Sequence, residues 1–238
     1  MEDKIQQFKQ LVNKWDNIVF FGGAGVSTES GIPDFRSKDG LYNQQYKYPP
    51  ETILSHTFFM NKTEEFFKFY KLKMNSLKYQ PNITHIKLAE LETKGKLKAV
   101  ITQNIDGLHQ KAGSKVVYEL HGSVLRNYCM NCNKFYDAEY VFNSNGIPRC
   151  SCGGIIKPDV VLYEEGLDEE TIENSTDVIQ KADLLIVAGT SLTVQPASGL
   201  INFFRGRNLV LINRDSTPYD NKANLVINDS LGKVFSNL

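Results

Sequence analysis

The sequence predicts an α/β protein built on a parallel β-sheet with helices on both faces. A unit of apolar strand, polar strand-end motif and helix recurs, with strands near residues 18, 97, 116, 183 and 209. This alternation is typical of parallel sheets, whose crossover connections are helices. Two stretches do not fit the unit: residues 37–85, and residues 125–157, which hold all 4 cysteines. We predict that both are insertions on one side of the sheet.

The composition argues against several classes of protein. The 238 residues carry 27 basic and 27 acidic side chains and no polybasic run, so direct nucleic-acid binding is not expected. The first residues lack the apolar segment of a signal peptide. No apolar run reaches the length of about 18 residues that a membrane helix needs. We therefore expect a soluble, cytoplasmic protein with no membrane partner.

The apolar run at residues 18–21 leads into a glycine-rich turn. Gly23 and Gly25 leave room for a close ligand, and cap-type side chains at residues 27–30 come before a possible helix. Because N–H groups at a helix N-terminus favour anions, the turn indicates a nucleotide diphosphate site. A hydride-transfer dehydrogenase fits poorly, since Thr28 replaces the third glycine of the dinucleotide fingerprint and no acidic residue closes a second strand about 20 residues later.

The first predicted insertion begins with turn-rich residues and continues with aromatic ones. Residues 37–50 predict a loop, which as a mobile lid would cover a cofactor. Residues 58–77 are dense in aromatic side chains. Two interpretations stay open for them: the core of a small helical module, or an apolar wall beside a cofactor or acyl group.

Polar motifs follow the other predicted strands. Residues 102–109, with the sequence T-Q-N-I-D-G-L-H, come where a parallel strand ends, and ligands bind at that edge of open α/β sheets. On the residues alone, this motif fits a helix cap equally well. His121 fits a packing role as well as the role of a base, and the polar residues that begin at Gly189 fit an ordinary turn and helix cap.

The cysteines predict a structural metal site. Cys129 and Cys132 form one close pair, and Cys150 and Cys152 form a second pair. Two such pairs on hairpins bring four thiolates within tetrahedral reach of one Zn²⁺ ion, as in a zinc ribbon. Four cysteine ligands leave no open coordination position, so the ion would stabilise the fold rather than activate water.

Taken together, these motifs resemble those of the sirtuin family, the NAD-dependent protein lysine deacylases. Residues 23–36 match the family pattern G-A-G-x-S-x-x-x-G-I-P-D-F-R, and residues 102–109 match T-Q-N-I-D-G-L-H. Residues 157–165 resemble R-P-x-V-V-x-F-G-E, and residues 189–197 match G-T-S-L-x-V-x-P-A. The resemblance covers nearly the whole chain and identifies it as a bacterial-type member.

The resemblance implies three modules. A Rossmann-like NAD-binding domain would comprise residues 1–36, 86–124 and 158–238. Residues 37–85 would form a loop and helical insertion, and residues 125–157 a zinc-ribbon insertion with one structural Zn²⁺.

The resemblance also implies a reaction, NAD-dependent deacetylation of lysine in proteins or peptides. Nicotinamide is released, and the acetyl group passes to ADP-ribose, which leaves as O-acetyl-ADP-ribose. His121 is the implied catalytic base, since a neutral imidazole accepts a proton near neutral pH. Asn104 and Asp106 are the other implied catalytic residues, at the nicotinamide and its ribose.

The remaining site residues follow from the same motifs. The implied NAD contacts are Gly23, Ala24, Gly25, Thr28, Asp34, Phe35, Arg36, Gln103, Asn104, Ile105, Asp106, His121, Gly189, Thr190, Ser191, Asn213, Asp229 and Ser230. The implied contacts to the peptide and its acyl group are Tyr70, Lys73, Val161, Leu162 and Val194.

The chain departs from the family pattern at a few positions. A Tyr-x-x-Arg pair marks members that prefer acidic acyl groups, and Lys73 stands at the arginine position after Tyr70. Because lysine lacks the planar fork that holds a carboxylate, we expect a neutral acetyl group to be preferred. Gly22 replaces the usual threonine and Glu164 the usual glycine. Neither change removes an implied catalytic atom.

Two other functions stay open. An ADP-ribosyltransferase would pass the ribose of the same bound NAD to a protein side chain. A sensing module would bind NAD or ADP-ribose without catalysis and would have no need of His121 and Asp106.

Overall fold

The computed structural model describes residues 2–34, 40 and 46–238. Phe35, Arg36 and the greater part of the predicted lid lie outside the described residues. The described strands are β1 (Ile18–Gly22), β2 (Leu97–Thr102), β3 (Val117–Glu119), β4 (Gly122–Cys129), β5 (Phe135–Asp137), β6 (Ile156–Val160), β7 (Leu184–Ala188), β8 (Asn208–Ile212) and β9 (Leu225–Ile227).

The larger sheet confirms the predicted parallel architecture. Its strand order is β3-β2-β1-β7-β8-β9, and all neighbouring strands are parallel. The five predicted strands are present, and β1 and β7 are buried along their whole length, as strands covered on both faces are. The sixth strand, β9, was not predicted, because its apolar run is confined to three residues between Asn224 and Asn228, whereas β3 lies within the longer run 116–120.

Helices cover both faces of this sheet. The helices are α1 (Glu2–Lys14), α2 (Pro50–Ile53), α3 (His56–Asn61), α4 (Thr63–Lys73), α5 (Ile83–Thr93), α6 (Leu108–Ala112), α7 (Ala138–Asn143), α8 (Glu169–Lys181) and α9 (Leu231–Phe235). Side chains of α1, α5 and α9 pack in one apolar cluster with the sheet. Side chains of α8 and of the 3-10 helix Ala197–Phe203 pack in another. The predicted Rossmann-like layering is therefore confirmed.

The α-helix expected after the glycine turn is not formed. Two 3-10 helices, Ala24–Val26 and Thr28–Ser30, take its place. The Thr28 hydroxyl donates to the Gly25 carbonyl at 3.0 Å, and Gly31 ends the segment in the left-handed conformation, with φ of 92°. Short polar side chains compete for backbone groups in this way, so a run of cap-type residues favours tight turns over a continuous helix.

A smaller lobe joins the two predicted insertions. It contains a three-stranded antiparallel sheet of order β5-β4-β6 together with α2, α3, α4 and α7. Its apolar cluster combines aromatic residues of α3 and α4 with residues of the sheet and two cysteines. Phe66 and Tyr70, for example, are fully buried and stacked with ring centroids 5.5 Å apart. The interpretation of the aromatic segment as a core is therefore confirmed.

The antiparallel sheet crosses two predicted module boundaries. β4 begins at Gly122, inside the segment assigned to the NAD-binding domain, and β6 ends at Val160, beyond residue 157. These strands belong to the smaller sheet because Gly122 pairs with Val160. The division into three modules stays a prediction, with these two boundaries inside a continuous sheet.

Among the described residues, the helices are too short or too polar to span a lipid bilayer.

Candidate functional site

A cavity of about 740 Å³ lies between the carboxyl ends of the larger sheet's strands and the smaller lobe. Ligands of open α/β sheets bind at this edge. Of the predicted NAD and substrate contacts that the structure describes, Ser230 does not line the cavity, although its neighbours Asp229 and Leu231 do. The others line it: Gly23, Ala24, Gly25, Thr28, Asp34, Tyr70, Lys73, Gln103, Asn104, Ile105, Asp106, His121, Val161, Leu162, Gly189, Thr190, Ser191, Val194 and Asn213.

Two backbone turns meet at one end of the cavity. The amide of Gly25 donates to the Gly189 carbonyl at 2.8 Å. A Cβ on Gly25 would lie 2.8 Å from the Gly189 Cα, and a Cβ on Gly189 would lie 2.5 Å from the Val26 nitrogen. Gly189 also has φ of 62°. Glycine is therefore required on both sides of this contact, which brings bare backbone to the cavity surface.

A hydrogen-bond network holds the polar ends of β1 and β2 together. Ser27 Oγ donates to Asp106 Oδ2 at 2.6 Å and accepts from Asn104 Nδ2 at 3.0 Å. The amide of Leu108 donates to Asp106 Oδ1 at 2.9 Å, so this carboxyl also caps α6. The helix-cap interpretation and the cavity interpretation therefore both hold for Asp106. Burial raises the pKa of Asp106, and the bonds from Ser27 and Leu108 oppose that shift.

A second network joins the ends of β2, β7 and β8. Gln103 Nε2 donates to Thr190 Oγ1 at 3.0 Å, and the Thr190 amide donates to Asn213 Oδ1 at 2.9 Å. Asn213 Nδ2 is buried at the cavity with no hydrogen-bond partner among the described residues. Because a buried N–H without a partner costs free energy, this amide suits a polar ligand atom.

His121 lies in the turn that connects the two sheets. Its Nδ1 is 2.9 Å from the Gln103 carbonyl, and a carbonyl only accepts, so Nδ1 carries the proton. Nε2 of the neutral ring is then an acceptor, and no other described residue bonds to it. Burial lowers the pKa of His121, against the opposing bond to Gln103, so the ring is neutral at pH 7.

The residue after His121 has no space for a side chain. Gly122 has φ of 72°, and a Cβ there would clash with the Asp159 carbonyl oxygen. The His121 carbonyl accepts from the Val161 amide at 3.0 Å. The turn that carries His121 is therefore held against the start of the 161–165 segment.

Residues 161–165 form one wall of the cavity. Both backbone groups of Tyr163 are bonded, to the Leu54 carbonyl and the His56 amide, each at 2.9 Å. Both backbone groups of Leu162 are bonded to Glu165. In contrast, the Val161 carbonyl and the Glu164 amide have no hydrogen-bond partner within the described part of the chain. They are available to an extended ligand backbone.

Tyr70 and Lys73 lie on α4 at the smaller lobe's side of the cavity. Tyr70 is fully buried, and burial raises the pKa of its phenol. Its hydroxyl has no hydrogen-bond partner among the described residues. Two further histidines have structural roles: His85 Nδ1 accepts from the Asn82 amide at 3.3 Å in a capping box, and His109 packs against His85.

The four cysteine sulfurs form a compact cluster away from these residues, with all Sγ atoms within 4.8 Å of one another. Cys129 Sγ lies 3.5 Å from Cys152 Sγ, and Cys132 Sγ lies 3.6 Å from Cys150 Sγ. A Zn–S bond of about 2.3 Å sets tetrahedral thiolates about 3.8 Å apart, so the cluster fits one Zn²⁺. A Cβ on Gly154 would lie 2.7 Å from Cys129 Sγ, so glycine is needed beside the cluster.

Two residues that contribute to the site were not among the predicted site residues. Ser27 is the hub between Asn104 and Asp106, and its place in the first motif was the available signal. Glu29 accepts from the Gly232 amide at 3.1 Å and so ties the glycine turn to α9. No local pattern indicates that contact, because the two residues are 203 positions apart.

Comparisons with known proteins agree with this geometry. The sequence model of the Sir2 family matches residues 23–196. A protein named NAD-dependent protein deacetylase from Clostridium perfringens is 61% identical over 238 residues, covering 98% of each chain. One of the same name from Clostridium acetobutylicum is 62% identical over 236 residues, covering 98% of this chain and 96% of the relative.

Solved structures are similar over the same extent. A Sir2 variant with deacetylated p53 peptide and 3'-O-acetyl ADP ribose has a TM-score of 0.90 at 39% identity, covering 98% of this chain and 96% of that chain. Sir2 with p53 peptide and NAD⁺ has a TM-score of 0.87 at 39% identity, with the same coverage. Matched in its motifs, its fold and nearly its full length, this chain belongs to the Sir2 family, the sirtuins.

Proposed function

We propose that this protein is an NAD-dependent protein lysine deacetylase. The observation that carries the proposal is the state of His121, whose Nδ1 proton is held by the Gln103 carbonyl while Nε2 stays an acceptor at the cavity. An imidazole in this tautomer is a general base at neutral pH. The relatives' shared name and the solved complexes with NAD⁺ and acetylated peptide support the same reaction.

The cavity has the features that NAD requires. The Gly23 and Gly25 turn offers bare backbone to a pyrophosphate, and the unpartnered Asn213 amide suits a ribose hydroxyl. When bound, NAD supplies the ADP-ribosyl group that accepts the acetyl group as nicotinamide leaves. The proposed NAD contacts are Gly23, Ala24, Gly25, Thr28, Asp34, Phe35, Arg36, Gln103, Asn104, Ile105, Asp106, His121, Gly189, Thr190, Ser191, Asn213, Asp229 and Ser230.

The chain's own residues then have distinct roles. His121 Nε2 accepts a proton from a ribose hydroxyl, while Gln103 fixes its tautomer through Nδ1. Asp106 and Asn104, oriented by Ser27, contact the nicotinamide end. The carboxyl oxygens of Asp106 are already bonded on two sides, so its position is set before any ligand binds.

The peptide and its acyl group occupy the side of the cavity nearer the smaller lobe. We assign the peptide backbone, as an added strand, to the Val161 carbonyl and the Glu164 amide on one wall, with Val194 on the other. Leu162 lines this wall without pairing, because both of its backbone groups are bonded to Glu165. We assign the acyl end to Tyr70 and Lys73, with acetyl preferred over acidic acyl groups. The cysteine cluster holds one structural Zn²⁺. Cytoplasmic location and the absence of direct nucleic-acid binding stay predictions.

The test is mass spectrometry of an acetyl-lysine peptide incubated with the protein, with and without NAD. We expect loss of acetyl only with NAD, nicotinamide and O-acetyl-ADP-ribose in equal amounts, and turnover about 10²–10⁴-fold slower in the His121→Ala variant. Modification of a protein side chain by ADP-ribose would instead favour a transferase. NAD binding without turnover of any peptide would favour a sensing module. A succinyl-lysine peptide tests the acyl preference, since faster loss of succinyl would assign a carboxylate-binding role to Lys73.

A further inference from the structure

On the wall formed by residues 161–165, the negative charge that no lysine or arginine offsets is concentrated on one side chain. Among the cavity-lining residues at 160–167 and 194–196, Glu164 and Glu165 are the charged ones. Glu165 is compensated: its carboxylate lies 3.1 Å from Lys157 Nζ and 2.9 Å from His56 Nδ1. Within the described residues, Glu164 forms no ion pair with a lysine or arginine.

The backbone at Glu164 is one that glycine adopts more easily. Glu164 has φ of 77°, in the left-handed region where a Cβ crowds the following carbonyl oxygen. The family pattern has glycine at this position, where that crowding is absent.

The Glu164 carboxylate is held at the rim of the cavity. Its Oε2 accepts from the Thr57 amide at 2.9 Å, in the first turn of α3. Hydrogen bonding from Thr57, with a smaller contribution from the nearby His56, lowers the pKa of Glu164, so the exposed carboxylate is ionised at neutral pH. The amide of the same residue is among the unbonded backbone groups of the wall. An extended peptide paired there would pass directly beside this negative charge.

We infer that Glu164 selects acetylated segments in which a basic residue flanks the acetyl-lysine. The inference rests on the proposed function, since it assigns the peptide backbone to this wall. A single exposed ion pair contributes up to about 1 kcal/mol, which corresponds to about fivefold in affinity. The preference should therefore be modest, dependent on salt and confined to peptide binding.

The experiment compares three acetyl-lysine peptides that differ only in one flanking residue, which is arginine, glutamine or glutamate. In one set of peptides this residue precedes the acetyl-lysine, and in a second set it follows the acetyl-lysine. For the wild-type protein at low salt we expect kcat/KM to be about fivefold higher with arginine than with glutamate. In Glu164→Gln and Glu164→Gly the ratio should fall toward one, while the KM for NAD stays unchanged. Glutamine keeps an acceptor for the Thr57 amide, and glycine removes the backbone strain at this position. The two variants therefore distinguish the effect of the lost charge on peptide preference from an effect on stability.

The matched control is Glu173→Gln, which removes the same charge from an exposed position on α8 outside the cavity. It should keep the wild-type ratio. Equal kcat/KM for the three peptides with wild-type protein, or a preference that survives in Glu164→Gln, would overturn the inference.

Fluorescence anisotropy with the labelled peptides, without NAD, measures the same preference as binding. Absence of turnover with all peptides would therefore count against the proposed function alone, and the binding ratio would still decide the role of Glu164.

Discussion

The two lobes that enclose the cavity are stabilised in different ways. The larger lobe has parallel strands buried on both faces, and its contribution to the cavity is bare backbone and short polar side chains at the strand ends. The smaller lobe has a partly exposed antiparallel sheet, an aromatic core and a cluster of thiols. The larger lobe is therefore stabilised by burial, whereas for the smaller lobe we expect a Zn²⁺ ion bound by the four thiols to contribute to stability.

Metal removal should have the largest effect, and this effect should differ most between the two lobes. We expect chelation, or Cys132→Ser, to disorder the smaller lobe and abolish turnover while the parallel sheet keeps its far-UV circular dichroism, because structural zinc binding contributes directly to folding. The metal content, the near-UV spectrum and the activity are measured together. Ser151→Ala, an exposed position between two of the cysteines, is the control and should retain the metal. Full activity of metal-free protein would contradict the comparison.

The next largest effect is expected at the turn between the lobes. Replacing His121 by alanine should lower the rate by about 10²–10⁴-fold and weaken NAD binding far less, since it removes a base and leaves the glycine turn intact. Because burial lowers the pKa of His121 below the ordinary value of about 6.5, the wild-type kcat/KM should be level near pH 7 and fall only as the pH drops through that lower pKa. A pH-rate profile checks this. A loss of activity that begins above pH 7, at about 7.5, would contradict the neutral, buried base.

The backbone contact between Gly25 and Gly189 in the larger lobe should leave no room for even one methyl group. In Gly25→Ala the new Cβ meets backbone atoms of Gly189, which have no freedom to rotate away. We expect the free energy of unfolding to fall by about 1–3 kcal/mol and NAD affinity to fall with it. Urea unfolding and NAD titration measure the two effects. Gly166→Ala is the control, since nothing lies within 4 Å of a Cβ there.

The smallest effect is expected at Gly22, where the family usually has threonine. A Cβ at Gly22 would lie 2.6 Å from a ring carbon of Phe20, a fully buried side chain that must turn within its packing to admit it. Because a side chain yields more readily than backbone atoms do, Gly22→Thr should lower the free energy of unfolding by about 1 kcal/mol and leave turnover unchanged. A stability loss as large as that of Gly25→Ala would show that side-chain and backbone clashes are equivalent in this lobe.

Features that depend on neighbouring residues were predicted from the sequence. The five apolar runs and the cysteine pairs are local patterns, and all are present in the structure. The helix after the glycine turn was wrong, because cap-type side chains favour short turns as well as helix starts. The strand β9 was missed because its apolar run is confined to three residues between Asn224 and Asn228, which is too short to show an apolar period.

The sequence by itself determined the family, the order of the strands along the chain and the strand-end motifs that line the cavity, because motifs and apolar periods are properties of adjacent residues. Only the tertiary structure decided that the two insertions share one core, that Gly25 packs on Gly189, and which nitrogen of His121 carries the proton. Each of these depends on a contact between segments far apart in sequence. Such contacts are set by the packing of the whole chain, and no local pattern encodes them.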